Sequence, residues 1–208
     1  TSTYNLSAGN TAPTASGLPT GVTVTENIAS NVDLSALTLA DANGDNLTLT
    51  LTADSGTLAA TTGGSVTVSG SGTATLTLSG SASAINTYLD TVANVQYTSA
   101  LNDNTARSIA AKVNDGVNGD VTIGDVTVTI TPANDAPTLA GVPATTQSIS
   151  TGVAAALDDF TVADVDTANL TVTLTATNGS IGGLTGWTVS GAGNNIYSKT
   201  DSISNLNT

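Results

Sequence analysis

"ADANGDNLTLTLTADSG" at residues 40–56 returns as "ADVDTANLTVTLTATNG" at residues 163–179. Each copy opens with an acidic turn and continues with Leu, Val or Ala alternating with Thr. A period of two sets the apolar side chains on one face of a strand and the hydroxyls on the other. A helix would need apolar residues at i, i+3, i+4 and i+7 together, and neither copy holds that series. The stretch therefore reads as a strand with one buried face. The same alternation runs through "GVTVTEN" (21–27), "SVTVSG" (65–70), "TATLTLSG" (73–80), "SIAAKVNDG" (108–116) and "DVTVTITPA" (125–133). Turn clusters such as "TTGG", "LNDN" and "DGVNGD" separate these runs. Short strands with regular turn signals predict an all-β chain built as antiparallel β-sandwiches.

One segment departs from the period. In "SASAINTYLDTVANVQYT" (81–98), Ile85, Tyr88, Leu89 and Val92 fall at i, i+3, i+4 and i+7. This spacing predicts a short helix crossing between sheets, capped by Ser81 or Ser83 and followed by a strand at 94–98.

The repetition extends well beyond the opening pair. "NTAPT" (10–14) matches "NDAPT" (134–138), 11 identities fall between residues 37–58 and the stretch 123 positions later, and "SASAINT" (81–87) matches "SISNLNT" (202–208). The organisation expected is a terminal strand at 1–9 equivalent to the end of a preceding repeat, a complete repeat at 10–133, and an incomplete one at 134–208. The later strands of the second repeat would come from further chain or from a neighbouring subunit.

Composition narrows the chemistry. The 208 residues include 16 Asp and Glu against 3 Lys and Arg, for a net charge of -13, with no Cys, His or Met. Nucleic acid is a poor partner, because phosphate binding requires clustered basic side chains. No apolar run is long enough to insert in a membrane. Without Cys or His there is no thiol nucleophile, no Ser–His triad and no disulfide, so an enzyme is not expected. Carboxylates and amide oxygens are what calcium prefers.

Asp41, Asn43 and Asp45 stand at alternate positions of a turn relieved by Gly44, so their side chains can face one cation. The same D-x-N-G-D is also ordinary turn chemistry. The second copy offers Asp164 and Asp166, and the boundary between copies offers Asn134 and Asp135.

"PANDAPT" at a repeat boundary, a D-x-[DN] turn between early strands, the lone Glu in "TEN" and the "NDG" before the last strand pair resemble the cadherin-like (immunoglobulin-like) tandem repeats of large bacterial calcium-dependent surface adhesins. The resemblance spans the whole chain. It implies calcium at the boundary, held by Asn134, Asp135, Asp164 and Asp166 with Glu26 and Asp115 of the preceding repeat. It further implies an extracellular, bacterial-surface setting and a role as an extender or fibre of a surface or matrix protein. Its partners would be neighbouring repeats or identical subunits. The alternative expectation is a binding module for a cell-surface or matrix glycan or a partner protein, using loops or a sheet edge near Trp187 and Tyr197.

Overall fold

The structure is a computed structural model that describes residues 9–142, 150, 152–193 and 195–208. Nearly all of the strand expected at residues 1–9 lies outside the described residues. Among the described residues the chain is all-β apart from two short α-helices and a 3-10 turn, and it divides into two compact units between Ala133 and Asn134.

The first unit runs β1 (Thr14–Ser16), β2 (Gly21–Thr25), β3 (Ser30–Asn31), β4 (Thr38–Ala40), β5 (Asn46–Ala53), β6 (Thr57–Ala60), β7 (Thr67–Ser69) and β8 (Thr75–Ser81). Helix α1 (Ala82–Leu89) follows, then β9 (Val95–Thr98), β10 (Arg107–Asn114) and β11 (Val121–Thr131). One sheet has the order β2-β11-β10-β5-β8-β7, a second has β3-β9-β6, and β1 pairs with β4. On β5 the alternation works as read: Leu47, Leu49, Leu51 and Ala53 are buried while the threonines between them are not. The inward residues of the larger sheet share one core with Val32, Leu58, Val95 and Tyr97 of the smaller, and with Ile85 and Leu89 of α1. Each Leu or Ile so buried contributes about 1.5–3 kcal/mol.

Two expectations are corrected. The larger sheet is not wholly antiparallel, because β2 pairs in parallel with β11 from Thr127↔Gly21 to Thr131↔Thr25. The intervening chain is long enough to make a parallel crossover without strain. The helix also stops at Leu89, so Val92 leaves the apolar stripe. Val92 opens a 3-10 turn and is 37% exposed.

The remaining helix signals hold. Ser81 caps α1 by accepting from the Ala84 amide at 3.2 Å, and α1 carries the chain from the larger sheet to the smaller. Asn86 ties the helix to β4: the Leu39 amide donates to its Oδ1 and its Nδ2 donates to the Leu39 carbonyl, both at 2.9 Å. Leu39 is buried, so Asn86→Ala strands two backbone groups. Urea denaturation should show a loss of about 1–3 kcal/mol.

The second unit has β12 (Thr138–Ala140) paired with β13 (Thr161–Ala163), and a sheet of order β14-β16-β15. Its strands are β14 (Asn169–Thr175), β15 (Thr188–Ser190) and β16 (Ile196–Ser202), and helix α2 (Ile203–Leu206) follows. Local details of the first unit recur here. Ser202 caps α2, and Asn207 holds both backbone groups of Val162 as Asn86 holds those of Leu39. Asn169 faces Ser202 across β14 and β16 as Asn46 faces Ser81 across β5 and β8. The buried side chains are fewer, however. Leu170, Val172 and Leu174 are only half-buried, and Leu157 is 57% exposed. Among the described residues, β14 has β16 on one side and no strand on the other, the side on which β5 carries β10.

Candidate metal centre

The acidic turn between β4 and β5 is organised by one carboxylate. Asp41 Oδ1 accepts from the Asn43 amide at 2.9 Å and from the Asp45 amide at 3.0 Å, while Gly44 sits between them at φ +77°. A left-handed residue is needed to bring both amides round to one oxygen, and Gly takes it without steric cost. The other oxygen, Asp41 Oδ2, is buried and has no hydrogen-bond partner. A buried acceptor left unpaired costs about 1–3 kcal/mol.

The incoming chain lies against this turn. Thr11 donates to Asn43 Oδ1 through its amide at 2.8 Å and its hydroxyl at 2.6 Å. Beside it, Asn10 Nδ2 donates to Asp115 Oδ2 at 3.0 Å. Asp115 is itself buried and heads the β10–β11 loop. The amides of Val117 and Asn118 donate to its Oδ1, and the Asn118 side chain to its Oδ2. These bonds, with the Asn118 amide foremost, hold the carboxyl down at about 2. Linker residues 10 and 11 thus tie two acidic loops to one end of the unit. A hydroxyl and an amide at ordinary turn positions carry no sequence signal, so only the match of "NTAPT" to "NDAPT" hinted at them.

Asp115 yields a pH prediction. Its carboxyl ionises more readily folded than unfolded, so its stabilisation is complete above the unfolded value of about 3.9. It is lost as pH falls toward about 2. The thermal midpoint should therefore drop steeply across that window, and Asp115→Asn should flatten part of the drop.

Glu26 lies elsewhere. It follows the last residue of β2, beside the end of β11: its amide donates to the Thr131 carbonyl at 3.0 Å, and its Oε2 accepts from the Ala133 amide at 3.1 Å. The carboxylate is 2% exposed. Asp115 precedes the start of β11, so the whole of that strand, Val121–Thr131, lies between them. At 3.3 Å per residue the separation is roughly 33 Å. The expectation that Glu26 and Asp115 serve one ion is thereby overturned. Antiparallel connection alternates the ends of a sheet, and these two residues fall at opposite ends. The Glu26 end is closed by Asn27 and Asn102, both with positive φ. Asn102 donates through its amide to Asn27 Oδ1 at 3.0 Å.

In the second unit Asp164 Oδ1 accepts from the amides of Asp166 and Thr167 at 2.9 and 2.8 Å. The Asp135 amide donates to Asp166 Oδ2, the counterpart of the Thr11–Asn43 bond. Asn134 turns its side chain back to the Asp135 carbonyl at 2.8 Å. The Asp135 backbone and the Asp164 and Asp166 side chains thus meet at one turn of the second unit.

Calcium requires six to eight oxygens, and carboxamides and carbonyls serve beside carboxylates. Among the described residues no three carboxylates gather closely enough to hold an ion on their own. The leading end of the first unit instead mixes two carboxylates with two carboxamides, and one carboxylate oxygen there lacks a partner. That donor chemistry fits a hard divalent cation. No helix among the described residues is long and apolar enough to cross a membrane. No protein family, curated protein or solved structure matches the chain.

Proposed function

We propose that the chain is an extender module of an exported bacterial surface or matrix protein, built as tandem cadherin-like sandwiches and stiffened by calcium where one module meets the next. The observation that carries this reading is a recurring bond. The linker amide at Thr11 or Asp135 donates to the side-chain oxygen at the third position of a D-x-[DN] turn, Asn43 or Asp166. A cation held at this turn would then also fix how the linker leaves it.

The side of β14 that has no strand among the described residues supports assembly in series. In the first unit that side carries β10, with Ile109, Ala111 and Val113 buried. A strand of that pattern, from further chain or from another copy, would complete the second unit. A glycan-binding module has less support. Tyr197 is buried and its hydroxyl accepts from the Ile181 amide at 3.0 Å, so it offers no stacking face beside the half-buried Trp187.

Negative-stain electron microscopy of the purified chain, in calcium and then in chelator, tests the proposal. Extended straight particles or fibres that become flexible or disperse on chelation are expected. Particles unchanged by chelation would exclude calcium as the stiffening agent.

A further inference from the structure

The Asn43–Gly44 pair carries the chemistry of a self-modifying site. Asn43 is exposed, and its side-chain carbonyl oxygen receives two hydrogen bonds from Thr11, at 2.8 Å from the amide and 2.6 Å from the hydroxyl. The next residue has no side chain to shield its amide, and a Cβ built there would meet nothing within 4 Å. The flanking amides of Asn43 and Asp45 are both engaged by Asp41. The Gly44 N–H has no acceptor among the described residues. A nucleophile therefore stands beside a carbonyl carbon whose oxygen already faces two donors.

We infer that Asn43 deamidates by attack of the Gly44 nitrogen, with Thr11 supplying the donors that stabilise the developing oxyanion. In the first step the Gly44 N–Asn43 Cγ bond forms and the Cγ–Nδ2 bond breaks. The proton leaves the Gly44 nitrogen, and the departing group is ammonia. Water then opens the resulting succinimide at either carbonyl, giving aspartate or its β-linked isomer. The net change is one water taken up and one ammonia released, with no oxidant or cofactor. Donors aimed at oxygen where charge develops are the most effective single device for acyl chemistry of this kind.

Two other Asn-Gly pairs act as internal comparisons. Asn118 is exposed, but its Nδ2 donates to Asp115 Oδ2 at 2.8 Å, so a negative charge adjoins the group that must become an oxyanion. Asn178 is exposed and has no donor on its carbonyl among the described residues. The fold is suited to the aspartate product, because the matched position in the second unit is already Asp166, accepting the corresponding linker amide. Deamidation would give the first turn the Asp-x-Asp of the second, with Asp45 as a further acid. Any gain in cation binding from it rests on the calcium reading above; the deamidation itself does not.

The test is a time course of the purified full chain at neutral pH in chelator, followed by peptide mapping with mass spectrometry that separates aspartyl from β-linked products. Asn43 is expected to convert before Asn118 and Asn178. Thr11→Val, which keeps the backbone donor and removes the hydroxyl, should slow Asn43 about tenfold while leaving the other two rates unchanged. Gly44→Ala should slow it further. Unchanged rates at Asn118 and Asn178 report that each variant is still folded. Persistence of the Asn43 amide while either comparison site converts, or a Thr11→Val rate equal to that of the parent, would overturn the inference. Chelator keeps the readout independent of calcium, so failure of one idea is visible apart from failure of the other.

Discussion

Tyr97→Ala is expected to lower the unfolding free energy by about 3–5 kcal/mol, enough to unfold a marginal domain. Tyr97 is fully buried in the middle of the smaller sheet, where it joins the core shared with the larger one. Its hydroxyl donates to the Ser55 carbonyl at 3.0 Å. Truncation removes the ring, leaves a cavity and strands that carbonyl. Tyr97→Phe separates the contributions, since it keeps the ring and loses only the hydrogen bond, at about 0.5–1.5 kcal/mol. Gly56 adjoins the ring at φ +75°, and a Cβ there would come within 2.4 Å of the Thr98 carbonyl and 2.8 Å of the Tyr97 hydroxyl. Gly56→Ala should therefore destabilise the same region by crowding Tyr97 rather than truncating it. Chemical denaturation of the three variants should rank Tyr97→Phe as the mildest. Equal losses for Phe and Ala at position 97 would mean that the ring contributes little.

The second large effect concerns calcium. At a hundredfold excess over its dissociation constant, an ion that binds only the folded chain raises stability by about 2.7 kcal/mol. Thermal unfolding in calcium and in chelator should show that gap for the parent chain and lose it in Asp41→Ala. The variant's penalty should itself depend on the ion. In chelator, Asp41→Ala gives up two amide hydrogen bonds but also removes the buried, unpaired Oδ2, so the net loss is small. In calcium the same change also removes a ligand. A parent midpoint that does not move with calcium would sink the cation reading.

Much of the fold was legible because its signals are local. The alternation on β5 and on β14, the Ser81 cap and the break at α1 each depend on a few neighbouring residues, and all were readable in advance. The parallel pairing of β2 with β11 was not. The sense of that pairing depends on which edge remains when the other strands have formed, and no local pattern in "GVTVT" encodes it. Site residues divide in the same way. The Asp41 and Asp164 turns were visible as spaced acids. The mistaken grouping of Glu26 with Asp115 came from treating a repeat as a point, although one of these residues ends a strand and the other precedes one. Thr11 showed in the sequence only as a missing acid, standing where Asp135 does in the second copy, because its contribution is a donor to Asn43 rather than a charge.

The parallel β2–β11 pair also has a mechanical meaning. Chain enters β2 at Gly21 and leaves β11 at Thr131, at opposite ends of the paired stretch. Tension applied along the chain would pull the two strands lengthwise past each other, loading the bonds between Gly21–Thr25 and Thr127–Thr131 together. An antiparallel pair with both chain exits at one end would instead be peeled open one bond at a time. The first arrangement gives way only when the whole patch shears, so this pair would resist a pull along the chain better than one that peels.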